Sequence, residues 1–247
     1  MPHMFLPRPR KYAVWIDPSR IKEQFPFEVM NAIFYDIGGI MFVIGSIFFL
    51  PTQEENLAVG SWLFAVGSIL FLAVSLQDFV EIVSQEYGKS DSFWLDFTAE
   101  SLYILGSVLY ILGSIWFLPT VDRVYPAAWT FIVGSGLFVG GAALNACQIF
   151  QAKTVWASRM MNLVAICFVI GSTMFTCGSV PFLFSFESEQ DAETIGGYLG
   201  WMFIVGSFFF LVGGIINHVK VYFLYCEECK ECVGGVCEPG VCEPETS

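Results

Sequence analysis

The sequence predicts an all-α polytopic membrane protein, six transmembrane helices arranged as three repeated helical hairpins. Three observations carry that expectation: the composition, the alternation of long and short links between apolar stretches, and one motif that recurs in every stretch. Of the 247 residues, 55% are hydrophobic and 14% charged, and Phe alone accounts for 26. A soluble domain carries about 25% charged residues. The mean hydropathy is +0.65, which places the chain in the membrane class. The formal net charge of −12 repels polyphosphate and argues against a nucleic-acid partner.

Six apolar stretches, at 29–50, 57–76, 99–118, 127–147, 161–184 and 196–216, are long enough to cross a bilayer, which takes about 20 residues. Residues 1–28 form a basic segment that lacks the apolar core and cleavage site of a secretory signal. Short links join the first span to the second, the third to the fourth and the fifth to the sixth. Longer inner links, 77–98 and 148–160, separate the pairs. The spans therefore group as hairpins over 29–76, 99–147 and 161–216, followed by an acidic Cys-rich tail over 217–247.

Lys and Arg set the expected orientation. The N-terminal segment, the long links and the tail hold Arg8, Arg10, Lys11, Arg20, Lys22, Lys89, Lys153, Arg159, Lys220 and Lys230, whereas the opposite side holds only Arg123. This bias puts both termini on the cytoplasmic, matrix or stromal side. The outer links are acidic, with Glu54, Glu55, Asp122, Glu187, Glu189, Asp191 and Glu193; few are spaced as a ligand set, so they read as a solvated face.

All six spans share the pattern G-[SG]-x-Φ-[FY]-x-x-G-[SAG], with Φ a Met, Leu or Phe. Gly38, Gly60, Gly106, Gly134, Gly171 and Gly206 open it, and Gly45, Gly67, Gly113, Gly141, Gly178 and Gly213 follow seven residues on. Between them stand Phe42, Phe64, Tyr110, Phe138, Phe175 and Phe210. Seven residues return almost to the same helix face, so each glycine pair makes a flat stripe for close helix packing. Apolar helices have no hydrophobic drive to associate within lipid, so backbone approach must supply it. A stripe lining a pore or cofactor pocket is the competing reading. The odd helices also end alike: Gly45-Ser-Ile-Phe-Phe-Leu-Pro-Thr52 parallels Gly113-Ser-Ile-Trp-Phe-Leu-Pro-Thr120, and Gly178-Ser-Val-Pro-Phe-Leu183 is a degenerate third copy. Proline there stops the helix.

The run Asn31-Ala-Ile-Phe-Tyr-Asp-Ile-Gly-Gly-Ile-Met-Phe-Val-Ile-Gly-Ser-Ile-Phe-Phe-Leu-Pro51, followed by Val59-Gly-Ser-Trp-Leu-Phe-Ala-Val-Gly-Ser68, resembles the YrhK-like domain. Members of that family are small membrane modules, typically one helical hairpin. The resemblance is best over 29–76, good over 99–147 and weaker over 161–216, which implies three tandem copies. It implies fold and location, and brings no activity with it.

Polar side chains gather toward the inner ends of the spans: Asp36, Glu100, Asn145, Asn162, Asn217 and His218, with Asp78 and Glu81 just beyond the second span. An intramembrane acid is costly and suggests function. The belt reads either as interfacial caps or as a polar cavity centred on Asp36, a half-channel for protons or cations. His218 is a candidate ligand for a haem or chlorophyll, though a membrane haem usually takes two axial ligands. In the tail, Cys226, Cys229, Cys232, Cys237 and Cys242 offer enough thiolates for zinc or another soft metal. Lipidation of Cys226 and Cys229 and a plain tail compete with that reading. The possible cofactors are thus a soft metal on the tail and a bound lipid or pigment.

No H-E-x-x-H, G-x-S-x-G or phosphate-loop signature occurs, so an enzyme is not expected. The leading expectation is a non-enzymatic scaffold or accessory subunit of a larger membrane complex, with the bilayer and other membrane subunits as partners. A small-solute or ion transporter with a cavity around Asp36 is the alternative.

Overall fold

The computed structural model describes residues 18–84, 91–148, 155–184 and 188–232. Six long helices run through them: α1 (Pro18–Ile47), α2 (Leu57–Ser84), α3 (Asp91–Trp116), α4 (Val124–Gln148), α5 (Val155–Ser179) and α6 (Glu189–Cys232). Short 3-10 turns at Pro51–Asn56 and Val180–Leu183 follow α1 and α5, where Pro51 and Pro181 end the regular helix. Each long helix contains a stretch of 22 to 31 residues that is long and apolar enough to cross a membrane. Among the described residues there is no strand.

The helices overrun the apolar windows on the side of the long links. α2 continues to Ser84 and α3 starts at Asp91, so most of the 77–98 link is helical. α6 runs 16 residues past 216, to Cys232. From Asn217 to Val233 the sequence contains neither Gly nor Pro, so nothing in it stops the helix. Lys220 consequently lies within α6 rather than in a tail.

Each helix packs on the next in the chain, and α6 packs back on α1, giving a closed ring of six. Within the first hairpin the register is fixed by glycine pairs. A Cβ built at Gly38 would lie 3.2 Å from the Gly67 carbonyl oxygen, and one at Gly45 would lie 3.2 Å from that of Gly60. Gly106 meets Gly134 at 3.2 Å and Gly171 meets Gly206 at 2.9 Å in the same way. The two outer pairs of the other hairpins are incomplete: extending the register sets Gly113 against Ala127 and Gly178 against Leu199, both buried. Gly134 and Gly206 are thus counterparts of Gly67, one heptad later than the order of glycines along each span suggests.

The residue after each glycine serves a different neighbour. A Cβ at Gly39 would lie 3.0 Å from Leu211 of α6, and one at Gly214 would meet Tyr35 and Asp36 of α1 at 2.5 and 2.7 Å. The Ser46 and Ser207 hydroxyls join α1 to α6 at 2.8 Å. Successive residues on a helix diverge by about 100°, close to the roughly 120° corner of a six-membered ring. A glycine followed by a small residue therefore presents a small group to both neighbours of its helix at once. Ser61, Ser68, Ser75, Ser107, Ser114, Ser135, Ser172 and Ser179 are buried as well. Ser68 and Ser114 donate to their own backbone, to the Phe64 and Tyr110 carbonyls, each at 2.7 Å.

Aromatic side chains fill the ring's axis in layers. Phe42, Tyr110 and Phe175 contact one another with ring centroids 5.6 to 6.2 Å apart. The next layer, Phe64, Phe131 and Phe203, is equally closed at 6.1 to 6.3 Å. Phe49, Phe117 and Phe182 lie beyond it, with Phe117 5.5 and 5.2 Å from the other two. In the other direction come Phe71, Phe138 and Phe210, then Tyr35, Tyr103 and Phe168, all buried. Each layer takes one ring from each hairpin. Many of the rings also cover a glycine of their partner helix: Phe71 would stand 2.7 Å from a Cβ at Gly38, Phe138 2.8 Å from one at Gly106, and Phe210 2.9 Å from one at Gly171.

Candidate functional site

The polar residues lie below this column, at the end of the ring where α1 begins and α6 finishes. Continuing the heptad seven residues past Phe71, Phe138 and Phe210 reaches Asp78, Asn145 and Asn217, all buried. The aromatic core therefore gives way to a polar layer on the same helix faces.

The structure divides the sequence-predicted belt into separate groups. Asp36 does not face the axis. Its Oδ2 lies 2.7 Å from His218 Nδ1, with 20% of the Asp36 side chain and 25% of the His218 side chain exposed. The pair sits in the outer part of the α1–α6 seam, and the positions equivalent to Asp36 on the other odd helices are the apolar Ile104 and Val169. Among the described residues Asp36 is thus paired with His218 in that seam. The small Gly214 lets the carboxylate in. The His218 ring stacks on Tyr222 at 5.4 Å and 17°, which fixes its plane.

Glu100 and Asn145 belong to the second hairpin. The Asn145 amide donates to Tyr103 Oη at 3.3 Å, and Glu100, fully buried, acts electrostatically on the same tyrosine. Asn162 is exposed and joins neither group. The Glu81 side chain, Cys237 and Cys242, and the side chains of Cys226, Cys229 and Cys232 lie outside the described residues, and with them the soft-metal and lipidation readings. Among the described residues no group of three or more His, Cys, Asp or Glu could hold a metal ion.

A third group forms where α1, α2 and α6 meet. Lys220 is 1% exposed and interacts electrostatically with Glu28 and Asp78. Asn31 and Asn217, three residues from Glu28 and Lys220 along α1 and α6, are buried too, at 7% and 4% exposed. Reading the sequence for apolar windows left Lys220 among the flanking basic residues and Glu28 and Asn31 unremarked. A heptad signal was present: Lys220 is seven residues past Gly213 and fourteen past Gly206, on the stripe that faces protein.

Residues 26–82 and 95–149 each match the family model of the YrhK-like protein. The first two hairpins are thus similar to that family's domain. Both carry the Leu-Pro-Thr ending, at Leu50-Pro51-Thr52 and Leu118-Pro119-Thr120. Residues 161–216, read from sequence as a third and weaker copy, lie outside the match. No curated protein and no solved structure matches the chain significantly.

Proposed function

We propose that this protein is an integral membrane scaffold, or an accessory subunit of a larger membrane complex, built from three YrhK-like hairpins, the third diverged. Its termini face the cytoplasm, matrix or stroma, in line with the Lys and Arg bias. Isoleucines 33, 37, 40, 44 and 47 are exposed along the outer face of α1, a surface suited to lipid. A shallow groove lined mostly by apolar and aromatic side chains, among them Leu109, Trp116, Tyr125, Trp129 and Val133, with Thr130, suits a lipid chain between α3 and α4.

The observation that carries the scaffold reading is the closed axis. Two successive layers, each of three mutually touching rings, leave no route for a solute along the centre. The distinctive residues of the sequence are spent on holding helices together. The test is purification in mild detergent with mass spectrometry of co-isolating proteins. Stoichiometric partners support the reading; a monodisperse, partner-free protein that carries solute into liposomes refutes it.

The transporter reading keeps one observation in its favour, the buried polar layer of Asp78, Asn145 and Asn217. On that reading Asp78, rather than Asp36, marks the inner cavity.

A further inference from the structure

One layer of the aromatic column fixes the height of three tryptophans. Phe64, Phe131 and Phe203 meet across the axis, with centroids 6.1 to 6.3 Å apart. Trp62, Trp129 and Trp201 each stand two residues before one of these rings. Two residues turn about 200° and rise about 3 Å along a helix, so each indole points away from the axis that its phenylalanine fills. Burial agrees: the three phenylalanines are fully buried, while the tryptophans are 57%, 45% and 60% exposed. α2, α4 and α6 thus each present one indole outward at the same height.

The surface changes character across that height. Toward the short links Glu55, Asp122, Arg123, Asp191 and Glu193 are exposed. One turn the other way, on the same outward faces, stand Val66, Val133 and Val205, exposed as well. An indole has an apolar body and one N–H donor, and such side chains collect where an apolar medium meets water. A single partner protein cannot cover three faces that point about 120° apart around a six-membered ring, whereas a surrounding medium covers all of them. The opposite border is marked too. Tyr222, exposed on α6, is 21 residues past Trp201, and Trp94, exposed on α3, is 22 residues before Trp116, which lines the same groove as Trp129. Both spacings give roughly 32 Å along a helix, close to the ~30 Å hydrocarbon core of a bilayer.

We propose that Trp62, Trp129 and Trp201 form a girdle seated at the boundary between headgroups and acyl chains of one leaflet, with Trp94 and Tyr222 marking the same boundary in the other. This rests on the membrane reading and adds the depth at which the ring sits.

Depth-dependent fluorescence quenching tests it. The full-length protein is prepared in three forms, each retaining one of Trp62, Trp129 and Trp201 with the other six tryptophans replaced by Phe. Each is reconstituted into phosphatidylcholine vesicles whose chains carry bromine near the headgroup, at mid-chain or near the chain end. In all three forms bromine near the headgroup should quench at least about twofold more than bromine near the chain end, and the three depths should agree within about 5 Å, one helical turn. Ile69→Trp in a protein lacking all other tryptophans is the gauge. That position is exposed and lies seven residues past Trp62 on the same face, about 10 Å deeper, so its quenching order should reverse. Stronger quenching from the chain end in any of the three forms, or depths more than a turn apart, overturns the girdle and leaves the membrane reading standing. An indole shielded from every quencher marks a protein contact and also overturns the girdle. Quenching by aqueous iodide with none by any brominated chain overturns both readings. Where loss of six tryptophans prevents assembly, Trp62→Phe, Trp129→Phe and Trp201→Phe in the otherwise natural protein carry the test. Each should remove signal that is quenched from near the headgroup; a variant that removes signal quenched from near the chain end refutes the girdle.

Discussion

The Ser46 hydroxyl donates to the Phe42 carbonyl at 2.7 Å while lying 2.8 Å from the Ser207 hydroxyl. Ser46 has a single proton, already committed to its own helix, so Ser207 is the donor across the α1–α6 seam. This seam closes the ring without a covalent link. Ser207→Ala should lower stability by about 0.5–1.5 kcal/mol, the value of one interhelical hydrogen bond. Ser207→Leu should cost several times more, because it wedges α6 away from α1. Unfolding in detergent, followed by intrinsic fluorescence, reads both.

Glycines of the stripe should be far less tolerant than other helical glycines. A Cβ at Gly45 would stand 2.7 Å from the Phe64 ring, whereas one at Gly136 would meet nothing within 4 Å. Gly45→Ala should cost about 1–3 kcal/mol through forced separation of α1 and α2. Gly136→Ala should be neutral or gain up to about 1 kcal/mol, from reduced freedom of the unfolded chain. Equal melting temperatures for the two variants would refute the packing account.

Asp36 and His218 should behave as one unit. His218→Gln and Asp36→Asn should each cost stability, and the double variant less than their sum, with a coupling energy of about 0.5–2 kcal/mol. Additive effects would mean that the 2.7 Å contact contributes nothing. Since Asp36 faces the outer seam, Asp36→Asn should not alter ion or proton flux in liposomes; an Asp36-dependent wild-type flux would overturn the scaffold reading.

Topology is open to cysteine labelling. A cysteine placed at Lys89 should react from the cytoplasmic, matrix or stromal side, and one at Glu189 only from the opposite side. Reaction of both from one side excludes six alternating passes.

Much of the fold was legible because helices long and apolar enough to cross a membrane announce themselves in the sequence. The odd helices also repeat their glycines and proline endings with little drift. The register was harder to read. In α2 and α4 small residues recur every seven positions over three turns of the pattern, so sequence alone cannot say which glycine faces Gly38. Gly67 does, and only the antiparallel pairing decides it. The meaning of the Gly-Ser doublet was hidden for a related reason, since two seams per helix are a property of a closed ring rather than of one hairpin. The polar residues were legible as a belt but not as neighbours. Asp36 looked like an axial group until the register placed it beside His218, and Lys220 looked like a flanking charge because charged residues usually end a span. Cys237 and Cys242, and the side chains of Cys226, Cys229 and Cys232, lie outside the described residues.

The α1–α6 contact has one more consequence. It has the same antiparallel geometry as the seams that the chain crosses by links, and the start of α1 and the finish of α6 lie at the end of the ring that those links also occupy. The cyclic order of helices is therefore independent of where the polypeptide begins. Joining the two termini and cutting between Ser84 and Asp91 would produce a circular permutant that starts with α3 and ends with α2, with every seam glycine, layered ring and serine contact still in place.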